Sequence, residues 1–180
     1  MSSNTAGIAI CFPDNLDHQI LEHKKNGFPG CSLHVTVCIQ EQNYHLINGY
    51  AATCPKETVI CLRRLKHHLN NLESSTPIFL GDDINCNINP KLDRTCDNEP
   101  HSQTSEEFKH IVKRFKLNDT FRNIHPYQQT YAWKRNDSNA ARLDRKYISK
   151  HYCQFVRHSE MKNCDFPTMI IYVYISKKKQ

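Results

Sequence analysis

The sequence predicts an α/β (α+β) chain folded as a layered sandwich, one domain throughout. Strand-like and helix-like segments mix along it without the strict strand–helix alternation of a doubly wound sheet. The stretch Thr168 to Ser176 is apolar on both faces, as a central strand covered from both sides should be. At 180 residues the chain can bury a proper core, and neither an internal repeat nor a linker divides it.

Gly7-Ile8-Ala9-Ile10-Cys11-Phe12, closed by Pro13-Asp14-Asn15, reads as a buried strand ending in a turn. Leu33, Val35 and Val37 alternate with Ser32, His34 and Thr36, the period of a half-buried strand. Past the polar Gln40 to Asn43, the segment Tyr44 to Tyr50 is its expected hairpin partner. A helix follows, with Thr53 as N-cap, Pro55 in the first turn and Val59, Leu62, Leu65, Leu69 and Leu72 on one face. Ser74-Ser75-Thr76-Pro77 ends it, and Ile78-Phe79-Leu80-Gly81 is a buried strand running into Asp82-Asp83-Ile84-Asn85. Pro90 to Ser105 reads as a surface loop. Phe108, Ile111, Val112 and Phe115 mark a second amphipathic helix. Leu117 to Pro126 is a connection, Lys134 to Ala140 a polar loop, and Arg142 to Ser149 strand-like.

Composition narrows the function classes. No apolar run reaches bilayer length, the longest being Met169 to Ile175, so no membrane partner is expected. Met1-Ser2-Ser3-Asn4-Thr5 has neither a basic nor a long apolar region of a secretory signal, which points to an intracellular protein. The nine cysteines form no close C-x-x-C pair and are expected to be reduced, mostly buried thiols. His67 and His68 sit together on the predicted helix, where exposure is expected rather than metal ligation. A net charge of +6 suits a polyanionic partner without proving one.

The order of the pieces carries more than any one of them. Leu46-Ile47-Asn48-Gly49-Tyr50-Ala51 is followed by Ile78-Phe79-Leu80-Gly81-Asp82-Asp83-Ile84-Asn85-Cys86-Asn87-Ile88-Asn89-Pro90 and Leu92-Asp93-Arg94. Then come Thr130-x-x-Trp133 and Arg142-Leu143-Asp144-Arg145-x-Tyr147-Ile148-Ser149. From about Gly7 to about Tyr174 this series resembles the endonuclease/exonuclease/phosphatase superfamily, and within it the apurinic-endonuclease-like domain of non-LTR (LINE-type) retrotransposons. The resemblance implies two mixed β-sheets flanked by helices and a phosphodiester hydrolase using Mg²⁺ or Mn²⁺. It further implies DNA as partner, a reverse transcriptase region of the same element, and a nuclear setting.

By the match, Asp83 orients or deprotonates the attacking water, and Asn85 donates to a phosphoryl oxygen. Two residues apart in extended chain, they face one phosphate together. Tyr50 contacts the phosphate or leaving group, and Asp144 orients a catalytic histidine. Thr130 and Trp133 fall near the nucleic-acid surface, joined by Arg142 and Arg145. Taken singly, each has a plainer reading: Asp82 or Asp83 as turn residues, Tyr50 and Trp133 as core, Asp144 as a surface ion pair.

Two departures from the family pattern stand out. The family's opening strands, with an Asn and the metal-binding Glu, have no counterpart before Gly7, so the first strands are expected to be missing. Its closing Ser-Asp-His becomes Asn163-Cys164-Asp165-Phe166-Pro167, which leaves Asp165 either in the metal-supporting place or in that of the absent His. His158 is a poor substitute. General acid–base help is typically worth about 10²–10⁴-fold, so a weakened or inactive enzyme is expected. The alternative is a non-catalytic remnant gripping nucleic acid through Arg142, Arg145, Lys134 and Arg135.

Overall fold

A computed structural model describes residues 8–25, 32–51, 54–95, 103–136 and 138–159. Thr53, Asp165 and the apolar stretch from Thr168 to Ser176 lie outside them.

The scaffold is a six-stranded mixed sheet. Strand β1 is Gln19–Lys25, β2 Ser32–Ile39 and β3 Gln42–Tyr50. Helix α1 is Pro55–Asn70, and β4 is Ile78–Asp83. Two helices follow, the short α2 (Pro90–Asp93) and α3 (Gln103–Arg114), then β5 (Leu117–Asp119) and the short α4 (Thr120–Ile124). Last come β6 (Trp133–Asn136), β7 (Asn139–Ala141), β8 (Asp144–Ser149) and a 3₁₀ turn, Lys150–Phe155. The large sheet runs β1-β2-β3-β4-β8-β5, and β6-β7 form a separate two-stranded ribbon. Among the described strand pairs only β3–β4 is parallel, and α1 supplies the crossover that such a pair needs.

The hairpin turns on Gln40 and Glu41, both with positive φ (50° and 65°), the two-residue geometry whose twist suits antiparallel strands. Helix α1 starts at Pro55, whose missing N–H costs nothing at that position, with Cys54 as the residue before it. It buries Val59, Leu62, Leu65 and Leu69 as its spacing foretold. Leu62, Leu65 and Leu69 pack with Ile47, Leu80, Phe108, Ile111 and Tyr147 into the core between α1, α3 and one face of the sheet. On the other face Val35, Val37, Tyr44, Phe79, Ile148 and Cys153 form a second cluster. Clusters on both faces of the sheet give the layered sandwich.

Several expectations need correction. The segment 8–18 is not a strand: Ile10 and Phe12 still pack on the second cluster, but no ladder forms there. The first strand is instead Gln19–Lys25, a polar segment at the sheet edge with Ile20 and Leu21 exposed. Such an edge leaves no apolar period to detect. The supposed loop from Pro90 contains α2, the connection from Leu117 holds β5 and α4, and the polar loop at Lys134 is the β6–β7 ribbon. Among the described cysteines Cys86 and Cys153 are buried, while Cys11 and Cys54 are exposed; all six described are free thiols. His67 is exposed as expected, but His68 is half-buried against His34.

Candidate active site

Register decides which side chains meet. Tyr50 at the end of β3 pairs with Asp83 at the end of β4, and Asp83 pairs in turn with Asp144 at the start of β8. Directly paired residues point to the same side of a sheet. Tyr50, Asp83 and Asp144 therefore form a row across three adjacent strands, on the face that carries Phe79 and Ile148. The strand ends are tied together there, the Ala51 N–H donating to the Asp83 carbonyl at 2.9 Å.

Asn85 joins the row in a different way from that expected. Its φ is 50°, left-handed, so the chain is no longer extended after Asp83 and the simple i, i+2 argument fails. The bend brings the Asn85 backbone N–H to Asp83 Oδ1 at 3.2 Å, and Asn85 Nδ2 donates to the Ala51 carbonyl at 2.7 Å. Asparagine tolerates this conformation better than most residues because its short amide bonds locally. Asn85 thus locks the end of β3 to the end of β4, beside the carboxylates.

The electrostatics set these acids apart from ordinary ones. Burial pushes the Asp83 carboxyl upward, against the Asn85 N–H and the Arg145 guanidinium. Burial and the neighbouring charge of Asp83 raise Asp144 to about 6, again against Arg145. Such a pair can hold and release a proton near neutrality, as acid–base chemistry needs. On the opposite face Asp82 is fully buried, its register partner is Arg145, and burial drives its carboxyl well above the usual range.

Arg142 and Arg145 must be reassigned. They are 1% and 2% exposed and face inward, so neither reaches a nucleic-acid strand. Both bind Asp93: Arg142 Nε donates to Oδ1 at 2.9 Å and Arg145 Nη2 to Oδ2 at 3.4 Å. Arg122 Nη2 adds a third contact to Oδ1 at 2.7 Å, and the Asn89 N–H a fourth to Oδ2 at 3.1 Å. Arg142 also pairs with Asp119, and Arg145 Nη1 donates to the Cys86 carbonyl at 2.9 Å. Burial alone would raise the Asp93 carboxyl, but the guanidinium groups outweigh it and hold it below its ordinary value. Asp93, Asp119 and Arg122, which hold these arginines, were missed. The only signal was Leu92-Asp93-Arg94, read as a family mark and not as structure.

The remaining described candidates belong to β6 and the segment before it. Thr130 is half-buried, while Trp133 is 43% exposed and Lys134 exposed on β6. The loop before them is fastened to the Asp93 network, since Arg122 Nη1 donates to the His125 and Gln128 carbonyls at 3.3 and 2.5 Å. The side chain of Arg135 and all of Asp165 are outside the described residues. Among the described residues, no group of three or more His, Cys, Asp or Glu is placed to hold a metal ion.

No protein-family model matches the sequence. A 149 kDa uncharacterized protein of Transposon TX1 from Xenopus laevis is 25% identical over 167 residues, covering 90% of this chain but 12% of its own length. An AP endonuclease from Archaeoglobus fulgidus aligns with a TM-score of 0.58 at 16% identity, over 74% of this chain and 61% of that one. The endonuclease domain of TRAS1, a telomere-specific non-LTR retrotransposon, aligns at 0.55 and 11% identity, over 80% and 60%. The chain thus spans about an eighth of the TX1 protein and about three-fifths of each of these two structures. The fold of this chain is the one shared by that AP endonuclease and the TRAS1 endonuclease domain, and its sequence is similar to part of a transposon protein.

Proposed function

We propose that this chain carries the acid–base half of a divalent-metal-dependent phosphodiester hydrolase site, of retrotransposon endonuclease descent, and that its partner is DNA. The observation carrying the proposal is the row of Tyr50, Asp83 and Asp144 at adjacent strand ends, on one face and in register. In-line hydrolysis needs a base beside the attacking water and donors for the phosphoryl oxygens. Asp83 is that base. Asn85 has a second amide hydrogen to offer beyond the one given to Ala51, and Tyr50 contributes its hydroxyl to the phosphate or leaving oxygen. Asp144, raised to about 6, shares the proton inventory with Asp83 and orients a histidine where one is provided.

A hard divalent ion fits the donor chemistry in kind. Asp83 and Asp144 are oxygen donors whose charges oppose each other, and Mg²⁺ or Mn²⁺ would relieve that repulsion. Such an ion supplies charge neutralisation on the phosphoryl oxygens. Two carboxylates make a thin ligand set, and Asp165 is the sequence's candidate for a third. For that reason the activity of this chain alone is proposed to be weak. A reverse transcriptase region of the same element, and a nuclear setting, belong to the same proposal. The alternative of a binding remnant loses two of its four basic residues to burial, which favours the hydrolase reading.

Nicking of supercoiled plasmid by the folded chain tests this, with Mg²⁺, with EDTA, and with Asp83→Ala. Slow nicking that needs the ion and vanishes in the variant is the expected result. Nicking that survives Asp83→Ala, or salt-sensitive DNA binding with no turnover under any ion, would sink it.

A further inference from the structure

A second cluster of chemistry-bearing side chains lies on the other face of the sheet, towards α1, at the end of β3 remote from Tyr50. His34 on β2 and His45 on β3 are 1% and 7% exposed, and His68 of α1 is half-buried beside them. His34 Nε2 lies 3.1 Å from His45 Nδ1, and Thr36 Oγ1 lies 3.3 Å from the former and 3.2 Å from the latter. These three atoms form a nearly equilateral triangle. Hydrogen bonds fit it poorly, because two protons, one on a ring nitrogen and one on the hydroxyl, must serve three edges. A metal ion fits it well. With bonds of about 2.0–2.1 Å, neighbouring ligands of a tetrahedral ion stand roughly 3.3–3.4 Å apart.

We propose that His34 Nε2, His45 Nδ1 and Thr36 Oγ1 form one face of a site for a divalent transition-metal ion of the Zn²⁺ class. The two imidazoles are the ligands, and the hydroxyl makes the third contact. His68 is the orienting partner: with its Nε2 lone pair on the ion, His34 must carry its proton on Nδ1, 3.0 Å from His68 Nε2. Glu22 on β1 pairs with Thr36, but its carboxylate is held by Lys24 Nζ at 2.8 Å and adds no ligand, so the remaining positions fall to water. Imidazole selects Zn²⁺, Co²⁺, Ni²⁺ or Cu²⁺ over Mg²⁺. His45 and Tyr50 are about 16 Å apart along β3 at roughly 3.3 Å per residue, so the two sites are separate. With two imidazoles as its strong ligands, this site is open and its affinity modest. Its effect is to clamp β2 to β3, with α1 held through His68.

The test is a Co²⁺ titration of the EDTA-stripped chain, read in visible absorption, in excess Mg²⁺. One Co²⁺ per chain is expected, bound at least about tenfold more weakly in His34→Gln, His45→Gln and His68→Gln. His67→Gln, on the exposed side of α1, should bind as the wild type does. No saturable binding, displacement by Mg²⁺, or affinity unchanged in His45→Gln would overturn the proposal. Should a variant fail to fold, imidazole ¹⁵N shifts of the wild type decide: Zn²⁺ must perturb His34 and His45, and leave His67 alone.

Discussion

Asp93→Asn is the sharpest test of the scaffold behind the carboxylate row. Asp93 accepts from Arg122, Arg142 and Arg145 and from the Asn89 N–H, and its side chain is 1% exposed. Asparagine keeps the volume but cancels the charge and replaces one acceptor with an NH₂ group. If that group takes the Oδ2 place, it confronts the Asn89 N–H and the Arg145 guanidinium, donor against donor. Arg145 is then left in the interior facing Asp82, whose carboxyl burial tends to keep neutral. Breaking a buried ion pair by removing one partner typically costs about 3–5 kcal/mol. Against the roughly 5–15 kcal/mol that holds a domain together, this is a severe loss. Urea unfolding followed by far-ultraviolet circular dichroism measures it, beside Lys109→Ala. That change removes the surface pair with Glu106 and should cost about 0.5 kcal/mol or less. If Asp93→Asn costs less than about 1 kcal/mol, its neighbours are solvated or otherwise compensated and the network is not what orders this region.

Two pH dependences of opposite sign should appear in the EDTA-treated chain. Asp144 has a raised folded pKa, so its contribution is fully present below about pH 3.9 and is lost as pH rises through about 6. Asp144→Asn should therefore stabilise at pH 8 by about 2 kcal/mol, after discounting for solvent, and the gain should fade to nothing near pH 4. Burial, then the neighbouring His68 and His45, lower His34 to about 4; its contribution is present above about pH 6.5 and lost as pH falls towards 4. His34→Gln should flatten that acid limb, as urea midpoints at a series of pH values would show. At Asn85, replacement by Gly loses the amide bond but suits φ of 50°, while Ala loses both; we expect costs of about 1 and 2 kcal/mol respectively by thermal unfolding. Replacing Gln40-Glu41 by Asn-Gly should raise the melting temperature, with a gain of about 1 kcal/mol, since both positions have positive φ.

What the sequence revealed follows from which interactions are local or periodic. Helix α1 and strands β2, β3 and β4 bury regular apolar sets, so their periods were readable, as was the level at which the motif residues stand. Strand β1 is exposed and polar, and β5 and β7 span three residues each, too short for a period. The arginines were misread for a related reason. Charged side chains are almost never fully buried unless paired, and their partner Asp93 stands 49 residues from Arg142 in the chain. No window along the sequence brings the two together.

That misreading changes how the site's charge balance is understood. Had Arg142 and Arg145 pointed outward, the carboxylate row would have faced solvent beside two free cations, and its acids would have been ordinary. Instead Arg145 is spent on Asp93 and the Cys86 carbonyl from the far side of the sheet, and acts on Asp83 and Asp144 only as a distant field. Burial therefore dominates the pair over the pull of Arg145 and of Lys146, two residues along β8 on the same face, which is why Asp144 is raised to about 6. The same buried arginines that remove a DNA-gripping surface are thus what leaves Asp83 and Asp144 electrostatically underserved. A site built this way should respond to Asp93→Asn in its pKa values as well as in its stability. Freed from Asp93, Arg145 would be available to Asp82, and the Asp144 carboxyl would move towards its ordinary value only if Arg145 swings to its side of the sheet. A titration of Asp144 by NMR in that variant separates the two cases.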